Sequence, residues 1–336
     1  MSADIQAVSV SPAEPVQQKF EQLRASLEGA VVGQGALVEQ LLVALLSDGH
    51  VLLEGPPGLA KTRIISVLSQ LLEGSFQRIQ FTPDLLPADV TGSEFFNTGD
   101  SRFEFRQGPL FNNLVLADEI NRAPAKVQSA LLEAMAERQV TVAGCSYPLE
   151  SFFMVMATQN PIEQEGTYPL PEAQLDRFML HLRVDYPQFA DEKAILKLVR
   201  GEQQAELAGK QAVRQVQLNA ADLMAARQEV LSVYMAEHLE DYLISLVLAT
   251  RNPENYDPQF KDLLLYGASP RATLALDRAA RAHAWLNGND FVAPEDIQAV
   301  SHAVLRHRIG LSYSAEAAGM DADAVLCALL SQVAVP

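Results

Sequence analysis

Gly55-Pro56-Pro57-Gly58-Leu59-Ala60-Lys61-Thr62 is the stretch whose residue types and spacing point most directly to chemistry. A glycine-rich turn ending in Lys-Thr suits a phosphate chain. Backbone N–H groups of such a turn point inward at anionic oxygens, and a helix starting behind it adds the positive end of its dipole. Lys61 would reach the β- and γ-phosphates, and the Thr62 hydroxyl would ligate Mg²⁺. The strict spacing is G-x-x-x-x-G-K-[ST], and Ala60 stands at its sixth position. A small residue there still lets the backbone approach phosphate if its φ is negative. The alternative is a Gly/Pro turn that happens to precede Lys-Thr.

Four further segments carry groups that could act on such a ligand. Leu114-Val115-Leu116-Ala117 runs into Asp118-Glu119. In open α/β sheets, ligands bind beyond the carboxyl ends of strands. Asp118 would hold Mg²⁺ through water, and Glu119 would orient and deprotonate the attacking water. Alone, the pair could equally be a solvated acidic turn. Met154-Val155-Met156-Ala157 runs into Thr158-Gln159-Asn160-Pro161. Asn160 could hydrogen-bond the γ-phosphate or the lytic water, or belong to an amide-rich turn. Arg177, in Leu175-Asp176-Arg177-Phe178, is either a salt-bridged surface residue or an arginine finger meeting charge that develops in the transition state. In Gly267-Ala268-Ser269-Pro270-Arg271-Ala272, Ser269 reads as an N-cap and Pro270 as the first helical residue. Arg271 then opens a helix at its positive end, an awkward place for a cation unless an anion sits nearby.

These groups need strands that end together and helices that start there. Short apolar runs occur at Val51–Leu53, Gln77–Phe81, Leu114–Ala117, Phe152–Ala157 and Met179–Val184. All are of strand length and read as apolar on both faces, and helix-compatible stretches separate them. That predicts an α/β fold with a parallel five-stranded sheet between helices. Phe20 to Leu27 and Ala36 to Leu46 carry helical spacing ahead of the first strand. After Tyr186-Pro187 the texture changes. Helices are expected over Asp191–Gly201, Ala220–Val233, Ala236–Arg251, Pro270–Leu286, Pro294–Arg308 and Ala315–Val333, with no strand among them. The expected organisation is a flexible tail over 1–15, an α/β domain over 16–187 and an all-helical domain over 188–336.

Composition narrows the function classes. Hydrophobic residues make up 49% of the 336-residue chain and charged residues 20%, which is globular rather than disordered. A formal charge of −17 argues against general affinity for nucleic acid or anionic membrane. Cys145 and Cys327 lie far apart, so structural zinc and a disulfide framework are not expected, and a reducing cytoplasmic setting fits. The first residues carry neither a basic nor an apolar signal-peptide region, and no apolar run is long enough to span a bilayer. His302, Arg306, His307 and Arg308 read as one solvated helix face, as do Glu237, Glu240 and Asp241.

Taken together and in this order, the segments resemble the AAA+ ATPases, and specifically the MoxR type. The resemblance rests on Val32-Gly33-Gln34, Gly55 to Thr62 with its Ala60, Gln80 to Pro87, Asp118 to Ala123, Ala157 to Pro161, Leu170 to Phe178 and Gly267 to Ala272. It spans residues 20–310. It implies a P-loop NTPase domain followed by a helical lid, with ATP/ADP and Mg²⁺ as ligands. It implies Walker A roles for Lys61 and Thr62, Walker B roles for Asp118 and Glu119, and the first sensor role for Asn160. Arg177 would act on a neighbouring subunit's nucleotide, and Arg271 would be the second sensor, reaching the γ-phosphate from the lid. Val32 and Gly33 would line the adenine pocket. Two insertions are implied, near 93–107 and 139–149. The first reads independently as a hairpin, Gly99-Asp100 joining the aromatic runs of Phe95, Phe96, Phe103 and Phe105. Those phenylalanines either pack the hairpin onto the domain or face a pore or partner. The resemblance further implies a homo-oligomer, a hexameric ring, and chaperone-like work on protein clients with a von Willebrand factor A domain partner. A metal-chelatase motor and a nucleic-acid remodeller are the alternatives.

Overall fold

The architecture is taken from a computed structural model, which describes residues 15–56, 58, 59, 61–99, 101–161, 166–208 and 218–336. Pro57, Ala60, Asp100 and nearly all of the expected N-terminal tail fall outside the described residues. Two helices, α1 (Val16–Ala30) and α2 (Gly35–Leu46), precede the first strand, β1 (Val51–Glu54). Next come α3 (Lys61–Leu71), β2 (Phe76–Gln80), α4 (Pro87–Thr91) and a hairpin of β3 (Gly92–Asn97) and β4 (Arg102–Gln107). Then follow β5 (Leu114–Asp118), α5 (Ala125–Glu137), a second hairpin of β6 (Gln139–Val142) and β7 (Cys145–Pro148), β8 (Met154–Gln159), α6 (Glu172–Leu175) and β9 (Leu180–Arg183).

Five strands pair in the order β2-β5-β8-β1-β9, all parallel. Successive side chains of a strand face opposite ways, so each central strand feeds two cores. Leu53, Leu116 and Met156 join the helices α1 to α3 on one face; Leu52, Val115, Ala117 and Val155 join α5 on the other. That explains the uninterrupted apolar runs of β1, β5 and β8. β2 departs from expectation. It lies at a sheet edge, and Gln77, Arg78 and Gln80 are exposed, so it is not apolar on both faces.

The change of texture at Pro187 falls between β9 and α7 (Phe189–Leu207). Beyond it lie α8 (Ala220–Ser232), α9 (Glu237–Arg251), β10 (Leu264–Tyr266), α10 (Pro270–Leu286), α11 (Pro294–Leu305), β11 (Gly310–Leu311), α12 (Tyr313–Ala317) and α13 (Ala322–Leu330). Three sequence expectations fail here. β10 and β11 form an antiparallel ribbon where no strand was expected, because segments of three and two residues are too short to display a period. The helix expected over Ala315–Val333 is two helices, broken at Gly319 with φ +75° and restarted by Asp321, whose side chain accepts from Ala324 N. A third concerns charge. His307 and Arg308 are buried rather than solvated, because they plug the segment between α6 and β9 and find carbonyl partners there.

Candidate functional site

β1 ends at Glu54 and α3 starts at Lys61, so the glycine-rich segment is a strand-to-helix turn. It opens on a cavity of about 520 Å³. Of the residues singled out from the sequence, Val32, Gly58, Leu59, Lys61, Thr62, Asp118, Glu119 and Asn160 line it. Gly33, Gly55 and Pro56 are not among its lining residues. Gly33 supports the wall from behind. Its φ is +78°, and a Cβ there would overlap the Asp191 carboxylate. Gly55 is squeezed instead: a Cβ would meet the Val184 carbonyl oxygen.

Lys61 is buried, and its ammonium donates to Gly55 O and, at 3.4 Å, to Gln159 O. A lysine with carbonyl partners at a helix N-terminus, a hydroxyl beside it and two carboxylates opposite form a donor set that fits a triphosphate with a divalent cation. Thr62 and Asp118 would hold magnesium, which when bound offsets phosphate charge.

The carboxylates are held by residues the sequence reading left without a role. Thr158 is 1% exposed, and its hydroxyl donates to Asp118 Oδ1 at 2.6 Å while accepting from Glu119 N at 2.9 Å. Glu119 needs that anchor because it sits in the left-handed region, at φ +57°. Arg78 donates to Asp118 Oδ2 at 2.6 and 3.1 Å. Gln80 donates to Glu119 Oε2 at 2.7 Å, and Arg122 Nε lies 3.1 Å from the same oxygen. The available signal was two polar residues, Arg78 and Gln80, spaced by two at the end of β2, which pairs with β5. The lower wall was also missed: Gln34, Arg63, Pro187, Glu192 and Ile195 line the cavity. Arg63 fixes that wall, donating to both Glu202 oxygens at 2.6 and 3.0 Å and to Ala30 O at 2.8 Å.

Arg177 and Arg271 are not brought to this cavity. Both line a second one of about 310 Å³, with Asp48, His50, Arg138, Arg278 and Arg308 among its other residues. Ser269 caps α10 as expected, accepting from Arg271 N at 3.2 Å. Arg177 Nε is buried with no hydrogen-bond partner among the described residues. His50 is neutral: burial, and then Arg138, push its pKa down to about 4.

The family profile described as "ATPase family associated with various cellular activities (AAA)" matches residues 50–180, and the "AAA lid domain" profile matches residues 261–328. The chain is 46% identical to "Chaperone MoxR1" of Mycobacterium tuberculosis over 307 residues, which is 91% of this chain and 79% of that protein. It is 32% identical to "Protein MoxR" of Paracoccus denitrificans, covering 88% and 89%. The chain belongs to the MoxR-type AAA+ ATPases. A crystal structure of a Cytophaga hutchinsonii protein superposes with a TM-score of 0.85 at 44% identity, covering 96% of each chain. MoxR-type membership supports nucleotide binding, ATPase activity in general, chaperone-like work and an oligomeric state. No helix among the described residues is long and apolar enough to cross a membrane.

Proposed function

We propose that this chain is a Mg²⁺-dependent ATPase that hydrolyses ATP to ADP and phosphate, with each site completed by a neighbouring copy in a hexameric ring. The observation that carries the reading is the separation of two cavities. One gathers Lys61, Thr62, Asp118, Glu119 and Asn160. The other holds Arg177 and Arg271. We place both arginines in an adjacent copy, where they would meet a triphosphate in the first cavity; such a contact is heterologous, and a rotation that closes makes it a ring. This revises the sequence-based role of Arg271, which we place with Arg177 across the contact between copies.

Within one site, Lys61 neutralises the phosphate oxygens. Glu119, fixed by Thr158 and Gln80, accepts the proton of the attacking water, and Asn160 orients that water or the γ-phosphate. Arg177 and Arg271 stabilise the charge that builds on the transferred group. The adenine would lie toward Val32 and Gly33.

We assign the work to remodelling of protein clients with a von Willebrand factor A domain partner, in the cytoplasm, where the free thiols Cys145 and Cys327 are at home. The hairpin of β3 and β4 supports a protein-facing role. Phe105 packs on Phe111 and stacks on Tyr147, yet Phe95, Phe96 and Phe103 remain 46%, 51% and 69% exposed. We divide the chain into a nucleotide-binding domain over 16–187 and a lid over 188–336.

Mixing two inactive variants tests the reading. Arg177→Ala keeps an intact first cavity and Glu119→Gln keeps intact arginines. Each alone should turn over ATP slowly, and the mixture should regain activity at hybrid contacts. A mixture as inactive as its parts would remove the trans assignment.

A further inference from the structure

Arg177 lies in neither helix nor strand, since α6 ends at Leu175 and β9 begins at Leu180. The segment just after α11 fixes the residues around it. Arg308 is 5% exposed. Its guanidinium donates to Asp176 Oδ1 at 2.8 Å, Phe178 O at 2.6 Å, Met179 O at 3.0 Å and Val304 O. His307 Nε2 adds a contact of 2.9 Å to Phe178 O. Arg308 therefore grips the chain on both sides of Arg177.

The other oxygen of Asp176 faces the lid. Asp176 Oδ2 accepts from Ser269 Oγ at 2.9 Å and lies 3.5 Å from Arg271 Nη1. Ser269 is also the cap of the helix that Arg271 opens. One carboxylate thus joins the buried Arg308, the Arg177 segment and the start of α10. It also supplies negative charge among guanidinium groups that would otherwise repel one another at close range.

We propose that Asp176 and Arg308 are positioning residues for turnover, setting Arg177 and Arg271 as a single two-guanidinium clamp for the triphosphate of an adjacent copy. The proposal rests on the trans reading above. Fixed donors stabilise transition-state charge only when they need no reorganisation, and a misplacement of about 1 Å can cost on the order of a hundredfold in rate. Arg177 has a buried Nε with no hydrogen-bond partner among the described residues, so its orientation depends on its backbone neighbours. Arg308 and Ser269 belong to the helical half, so Asp176 ties the Arg177 segment of the α/β half to the start of α10.

The test uses the full-length chain. Asp176→Asn keeps the shape of the side chain and removes its charge; Ser269→Ala removes one donor near the surface; Arg177→Ala is the reference. Turnover, KM for ATP and affinity for a fluorescent ATP analogue are measured on each. Asp176→Asn should lower kcat about tenfold or more while KM and affinity stay within about twofold, because its own nucleotide cavity is untouched. Ser269→Ala should follow in the same direction, by about threefold. Mixing Asp176→Asn with Glu119→Gln chains should restore turnover as it does for Arg177→Ala, which a folding defect would not allow. Arg308→Lys should lower kcat in the same direction as Asp176→Asn; should it fail to fold, Asp176→Asn and Ser269→Ala decide the matter. If Arg177→Ala is inactive but Asp176→Asn turns over within about twofold of the parent, the positioning proposal fails and the trans reading stands. If Arg177→Ala itself retains full turnover, the trans reading fails.

Discussion

Thr158→Val removes one hydroxyl and keeps the side-chain shape. The hydroxyl makes two bonds, to Asp118 Oδ1 at 2.6 Å and from Glu119 N at 2.9 Å, at a site 1% exposed. A hydrogen bond to a charged acceptor is worth about 1.5–3 kcal/mol, and a buried N–H left unpaired costs about 1–3 kcal/mol. Some of this loss will be relieved by relaxation, so a fall in stability of about 3 kcal/mol is expected. The change also acts on function. Glu119 holds a left-handed backbone at φ +57°, and its N–H bond to Thr158 fixes that conformation. With the anchor gone the carboxylate would be less well fixed for the base role proposed for it, and a loss of 1.4 kcal/mol of transition-state stabilisation alone is about tenfold in rate. Thr158→Val should therefore turn over ATP about tenfold more slowly or worse, with Lys61-dependent nucleotide affinity little changed. Thr158→Ser, which restores the hydroxyl, should recover most of both losses. Thermal melting and steady-state ATPase assays read the two effects. A valine variant with parental turnover would refute the anchoring role of Thr158.

Glu119→Gln should bind ATP and hydrolyse it at least tens-fold more slowly, corresponding to about 2 kcal/mol or more; parental turnover would take the base role from Glu119. Gly55→Ala should weaken nucleotide binding, because its methyl group meets the Val184 carbonyl and pushes the loop off β9; a fluorescent-nucleotide titration checks this, and unchanged affinity would refute it. His50 gives a pH dependence. Its pKa is about 4 in the fold against 6.5 when unfolded. Between those values the unfolded chain binds a proton that the native chain does not, so stability is complete above pH 6.5 and falls as pH drops toward 4. The total is about 3 kcal/mol, at 1.36 kcal/mol per pKa unit. His50→Asn should flatten this slope in denaturation at pH 6.5 and 4.5; equal slopes would exclude His50 as its source.

The legible parts were those where local pattern and tertiary role agree. Val51–Leu53, Leu114–Ala117 and Met154–Ala157 are buried on both faces, so their apolar runs announced the sheet, and Asp118, Glu119 and Asn160 could be placed at its ends. Other contributions depend on strand register. That Arg78 reaches Asp118 and Gln80 reaches Glu119 follows from β2 lying beside β5, which no spacing along one chain displays. Arg308 shows a different limit. Four consecutive-looking charges on a helix suggest solvent, yet a guanidinium can be buried where enough carbonyls converge on it. The helix start that carries Arg271 was legible, since Ser269 and Pro270 are a cap and a first helical residue that local sequence displays. The companion of Arg271 in space, Arg177, lies ninety-four residues earlier, and only the fold joins them.

One apolar core runs from α1 and α2 through α8 to α10, with Phe20 set edge-on to Trp285 at 5.3 Å. A flap swinging open on a hinge would strip that shared surface into water. Any rearrangement of the helical half that keeps this surface buried would proceed by shear, with interlocked side chains slipping past one another in small steps. Alanine fills much of the contact side of α10, at Ala272, Ala275, Ala279, Ala280 and Ala282, giving low ridges that offer little resistance to such slippage.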